Sequence, residues 1–185
     1  MKTKMRFLRL ALFAWLTLCL PAGSWAAITV YFSPQDPVVP VGETFTVDLL
    51  ADMPTDTVLG WGLDVSFDPS VLSLVEPPAI GPLWTPAPFT MDGDGLAGLA
   101  FPLPITGNNI LLATLKFEAL DPGLSDLLAG ATLGDLTEGF PLATGGFAQV
   151  NYTAGSVNAV PVPGALLLFG SGLAGLLGLR KRSRK

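Results

Sequence analysis

The chain has 185 residues, half of them hydrophobic, with ten Lys and Arg, fifteen Asp and Glu, no His and one Cys. Without His there is no Ser-His-Asp triad, no Cys-His pair and no His-ligated metal centre, and a single Cys makes neither a disulfide framework nor a cysteine-only zinc site. Four cations lie before residue 27 and five after residue 179, leaving Lys116 alone among fifteen acids that run from Asp36 to Glu138; this −14 central segment excludes nucleic acid as a partner.

Residues 1–26 have the three-part layout of an export signal. Lys2, Lys4, Arg6 and Arg9 precede an apolar run from Leu10 to Leu20. Pro21-Ala22-Gly23 follows, then a small-x-small site in which Ser24 and Ala26 flank the cut expected after Ala26. Cys19 sits inside the apolar run, so the exported chain carries no Cys.

Residues 27–159 are long enough for one domain with a proper core. Ile28 to Phe32 is the first predicted strand. Thr44 to Leu49 alternates strictly, with Phe45, Val47 and Leu49 on one face. Leu59 to Phe67 does the same: Leu59, Trp61, Leu63, Val65 and Phe67 are expected inward, and Gly60, Gly62, Asp64 and Ser66 outward. Asp68-Pro69-Ser70 reads as a turn in which the Asp carboxylate bonds nearby backbone N–H groups. Leu96 to Phe101 is a further strand. Ala113, Leu115, Phe117 and Ala119 alternate with Thr114, Lys116 and Glu118, and Phe147 to Tyr152 is the last predicted strand. Gly107-Asn108 and Asp121-Pro122-Gly123 read as turns, the second with Gly123 free to take positive φ. Leu124 to Ala129 amounts to one or two helical turns at most. Period two over short segments, punctuated about every ten residues, predicts an all-β, antiparallel β-sandwich.

Candidates for binding chemistry are few. Gly81-Pro82-Leu83-Trp84-Thr85-Pro86-Ala87-Pro88-Phe89 reads as a loop. Its aromatics either fold back over the sheet or expose Trp84 and Phe89 as a ligand-contact patch, the platform a carbohydrate-binding module would need. Asp92-Gly93-Asp94-Gly95 reads first as a hairpin turn and second as a Ca²⁺ candidate through Asp92 and Asp94. The EF-hand pattern fails, because Leu96 and Ala97 stand where an oxygen ligand and a Gly are required. No other cofactor is expected. Fifteen acids make some carboxylate proximity inevitable, so a two-carboxylate hydrolase carries no distinct signal. The expectation is a non-enzymatic protein.

Residues 160–185 form a separate module. Val160-Pro161-Val162-Pro163-Gly164 leads into an apolar run to Leu179, which Arg180-Lys181-Arg182 closes. A span over 162–179 crosses a bilayer only marginally, with basic side chains snorkelling at its end and the tail at 180–185 left cytoplasmic.

The order of Pro-x-Pro, short apolar span and Arg-rich tail in VPVPGALLLFGSGLAGLLGLRKR, residues 160–182, resembles the PEP-CTERM sorting signal of Gram-negative bacteria. Val162 stands where that family usually has Glu. The resemblance implies processing by an exosortase. It also implies an intermediate anchored in the inner membrane and a final place at the cell surface or in the extracellular matrix, often beside exopolysaccharide. A second resemblance covers the body. VGETFTV from Val41, GWGLDVSFDPSVL from Gly60 and LATLKFEALDPG from Leu112 are similar, in order and content, to the cohesin domain. That likeness implies a jelly-roll sandwich related to cellulose-binding modules, which binds a protein or polysaccharide partner through a sheet face.

Overall fold

In a computed structural model, the structure describes residues 28–87, 95–132, 134–161 and 164. The signal-cleavage residues Ser24 and Ala26, the loop residues Phe89, Asp92 and Asp94, the motif residues Val162 and Pro163, and the tail residues Arg180, Lys181 and Arg182 lie outside the described residues. So does all of the expected span except Gly164. Among the described residues no helix is long and apolar enough to cross a membrane.

The described chain is built from strands: β1 Ile28–Ser33, β2 Val38–Pro40, β3 Thr44–Val58, β4 Gly60–Ser66, β5 Leu72–Leu74, β6 Ala79–Ile80, β7 Thr85–Pro86, β8 Leu96–Leu99, β9 Ile105–Ala119, β10 Gly123–Gly130, β11 Val150–Tyr152 and β12 Gly155–Val160. They form two sheets. The first has the order β11-β1-β3-β9-β5, with β6 also on β9; the second has the order β2-β12-β10-β4-β8-β7. The pairing is antiparallel except for β1 with β11 and β2 with β12, which are parallel. These two pairs tie the first strands of the domain to its last, one in each sheet.

The alternating residues face the core as period two requires. Val47, Leu49, Ala51 and Met53 of β3 are buried, as are Ala113, Leu115, Phe117 and Ala119 of β9. Phe45 and Phe117 pair across the two strands with ring centroids 5.8 Å apart, and Phe67 meets Phe117 edge-on at 5.1 Å. Leu63, Leu127, Val157 and Ala159 close the core from the second sheet. Across the β3–β9 pair, Leu49 faces Ala113 while Leu50 faces Leu111. Leu112 is thus the extra residue of a bulge, which buries Leu112 and Ala113 in succession.

Four expectations need correction. Leu124 to Ala129 is strand, not helix: β10 is paired on one side with β12 and on the other with β4. Its inward positions are Ser125 and Leu127, and the polar Ser125 hid the alternation. Gly107-Asn108 does not turn the chain. It lies in a second bulge within β9, where Gly107 has φ 139° and Asn109 φ 54°. Asp52 Oδ1 accepts the Asn109 N–H at 2.7 Å, and the Tyr31 hydroxyl donates to Asn109 Oδ1 at 2.7 Å, which hold that unusual backbone. Gly123 has no positive φ; it is small because a Cβ there would meet Val71 Cγ2 at 3.0 Å. Leu59 is exposed at the irregularity between β3 and β4, whereas Gly60 and Gly62 are buried.

The Asp68 turn forms as its residues require. Asp68 Oδ1 accepts from the Ser70 N–H at 2.8 Å and from the Ser70 hydroxyl at 2.6 Å. These bonds hold the Asp68 carboxyl below its ordinary value, the hydroxyl contributing most. Buried Ser125 Oγ accepts the Asp68 N–H at 2.9 Å, which pins the turn to β10 and accounts for the polar residue in an inward position.

Candidate functional site

The second sheet presents the most distinctive outer face. Along β10, Leu124, Asp126 and Leu128 point away from the core, with Leu124 63% and Leu128 49% exposed. Leu124 lies opposite Asn158 of β12, and Asn158 opposite Val38 of β2, itself exposed. Ser66, Phe67 and Asp68 join Leu124, Asp126 and Leu128 around a shallow depression of about 290 Å³. Apolar side chains interleaved with acids on a flat strand surface suit contact with another protein. Among the described residues the depression is lined by no His, Cys, Lys or Arg.

Further along the same face the sheet is covered. After β10 ends at Gly130, the chain crosses the outward side of β4, with Thr132 beside Asp64 and with Thr137 and Glu138 over Gly62. The chain then re-enters the sheet beside β4, with Gly139 and Gly62 exchanging hydrogen bonds at 2.8 and 3.0 Å. Leu142 next bridges Val58, and Phe140 turns fully into the core. This crossing explains why Gly62, expected to face solvent, is buried: a Cβ there would stand 2.1 Å from the Thr137 carbonyl oxygen.

The crossing carries an acid down onto the face. Glu138 is 6% exposed, and it sits within hydrogen-bonding reach of Asp64 on β4. Thr132 holds both carboxylates: its N–H donates to Glu138 Oε2 and its hydroxyl to Asp64 Oδ2 at 3.2 Å. The other two oxygens, Asp64 Oδ1 and Glu138 Oε1, are buried and meet no donor among the described residues. Burial pushes the Glu138 carboxyl up, the Thr132 amide opposes this, and the negative charges of Asp64 and Asp135 add to the rise. Asp135 is held low by the Thr137 hydroxyl and N–H, at 2.6 and 2.7 Å. The single described lysine, Lys116, pairs with Glu76 at 3.4 Å on the other sheet. Sequence alone did not single out Glu138. The only available signal was its place in a Gly- and Thr-rich segment between two strands.

Trp84 is where the sequence left two alternatives, and the structure folds it inward. It is 5% exposed, packs edge-on against Trp61 at 6.2 Å and 82°, and donates from Nε1 to the Leu111 carbonyl at 2.9 Å. The Gly81 N–H donates to the Leu112 carbonyl at 2.8 Å and the Trp84 N–H to the Gly81 carbonyl at 3.0 Å, so the proline-rich loop is drawn down with its indole underneath. Exposing an indole costs more than burying it once its N–H has an acceptor, which decides the outcome. The Trp84 face is therefore not on the surface as a sugar platform. Among the described residues no three acidic, His or Cys side chains converge as a metal cluster.

At the other end of the domain, Val160 is the last residue of β12, opposite Pro40 of β2. A sequence-family model, the PEP-CTERM protein-sorting motif, matches residues 159–183. No curated protein matches the chain. Solved structures similar to the chain include several cohesins. The non-cellulosomal cohesin of Archaeoglobus fulgidus is 20% identical with a TM-score of 0.55, over 76% of this chain and 96% of that one. The third ScaB cohesin of R. flavefaciens, solved in complex with a group 1 dockerin, is 13% identical with a TM-score of 0.57, over 75% and 99%. The cohesin module of a Clostridium perfringens family 33 glycoside hydrolase is 10% identical with a TM-score of 0.57, over 74% and 97%. The chain thus carries a PEP-CTERM motif behind a domain with the cohesin fold.

Proposed function

We propose that this is an exported, non-enzymatic binding protein, sorted to the cell surface or extracellular matrix of a Gram-negative bacterium by an exosortase. One observation carries the reading: the sorting motif at 159–183 abuts a single domain of cohesin fold. In this reading the N-terminal 26 residues are removed on export. The apolar segment after Gly164 then holds an inner-membrane intermediate until the protease cuts near Pro161 to Gly164. The released or attached domain engages a protein partner through the outer face of β10, where Leu124 and Leu128 supply apolar contact and Asp126 supplies charge. An acidic surface favours a neutral or cationic partner over an anionic polymer.

Two measurements test it. Intact mass of the exported protein should lack Arg180 to Lys185 in cells with the matching protease, and a mature pool that still carries them refutes processing. Partner retention from a cell-surface fraction should be lost when Leu124 and Leu128 are both changed to Glu. Equal retention by wild type and variant would rule out this face.

A further inference from the structure

Asp64 and Glu138 pose an electrostatic problem that the described residues do not solve. Two carboxylates converge on Thr132 at the outer side of β4, each anchored there through one oxygen. Each keeps its second oxygen buried with no donor. A buried polar atom without a partner is costly, and a buried charge more so. Asp135 adds a third negative charge close by, and no lysine or arginine side chain among the described residues reaches the pair.

We propose that Asp64 and Glu138 bind a divalent cation, Ca²⁺, which locks the crossing onto β4 at Thr132 and Glu138. The free oxygens, Asp64 Oδ1 and Glu138 Oε1, are the anionic ligands. Ca²⁺ takes six to eight oxygens in flexible geometry, so water completes its shell. A single proton shared by the pair would satisfy the same two atoms but would leave one carboxylate of the pair charged beside Asp135. A divalent ion neutralises both. Two carboxylates place the affinity in the range of extracellular calcium modules, a Kd of about 10⁻⁴ to 10⁻³ M. The site lies further along the same outer face, beyond Leu128, and does not depend on the identity of any partner.

The test is Ca²⁺ titration of the full-length chain, purified in detergent and stripped with EDTA at pH 7.5, followed by thermal unfolding. Wild type should gain Tm with a saturating midpoint in that range. Glu138→Gln keeps the shape and removes the charge; it should unfold in EDTA at or above the wild-type Tm and shift its Ca²⁺ midpoint at least tenfold. Glu43→Gln, on an exposed acid elsewhere, should keep the wild-type midpoint. Should Glu138→Gln fail to fold, Asp64→Asn reads the same quantity. No Tm response by the wild type overturns the proposal, because the pair is then neutralised by a proton. An unchanged midpoint in the folded acid variant also overturns it, because the ion then binds the acidic surface at large.

Discussion

Gly62→Ala separates an open β4 face from a covered one by the sign of its effect. Gly62 lies within a strand and does not have a positive φ, so alanine is compatible with its backbone. On an open face the substitution would stabilise the strand by about 0.5–1 kcal/mol, because Gly gives up more chain entropy on folding. In the structure the added methyl would lie 2.1 Å from the Thr137 carbonyl oxygen and 3.0 Å from Glu138 Cα. Both are backbone atoms, so no rotamer change relieves the overlap, and the crossing has to move outward by roughly 1 Å to reach ordinary contact. That displacement breaks the two hydrogen bonds between Gly62 and Gly139, at about 1 kcal/mol each net. It also loosens Phe140, which is fully buried just beyond. With about 1–3 kcal/mol for the overpacking itself, the expected loss is about 3–5 kcal/mol. Urea unfolding by tryptophan fluorescence measures it, and amide exchange at Gly139 should quicken in the folded variant. A variant as stable as wild type, or more so, would refute the covered-face reasoning.

Three further outcomes follow from other parts of the molecule. Phe117→Ala removes a buried ring that touches Phe45 and Phe67, and should cost about 3–5 kcal/mol in chemical denaturation. Trp84→Ala should cost a similar amount, about 3–5 kcal/mol, and alter the emission of Trp61, while leaving any retention on neutral polysaccharide columns unchanged. With Ca²⁺ chelated, pH should reveal Glu138. Its folded pKa is raised above the ordinary 4.5, so its contribution to stability is full below about 4.5 and is lost as pH rises through the folded value. The urea midpoint of wild type should therefore fall with rising pH across that window, and Glu138→Gln should flatten the fall.

Strict alternation made the long strands legible. Thr44 to Leu49 and Ala113 to Ala119 carry their inward residues on every second position, and the structure pairs them as β3 and β9. The Asp68-Pro69-Ser70 turn was equally readable, because its hydrogen bonds are local. What stayed hidden depends on distant partners. The β10 pattern is broken by Ser125, whose inward place makes sense only once the Asp68 N–H is seen donating to it. Gly62 looked like an outward position because nothing in its own segment announces a crossing that comes more than seventy residues later. Trp84 had two readings, and the acceptor that settles it, the Leu111 carbonyl, belongs to another strand. The Asp64 and Glu138 pair was invisible for the same reason: its members meet only after β10 has been threaded between β4 and β12.

The sorting motif begins at Ala159, while β12 is still running through the sheet. The folded body and the matched motif therefore share Ala159 and Val160. A pull directed along β12 enters a strand held by β10 on one side and β2 on the other. Such a lap joint strains its hydrogen bonds together, where an edge strand peeled from its end would yield them one at a time. The end of β12 therefore resists separation from the sheet as one unit, because a neighbour holds it on each side.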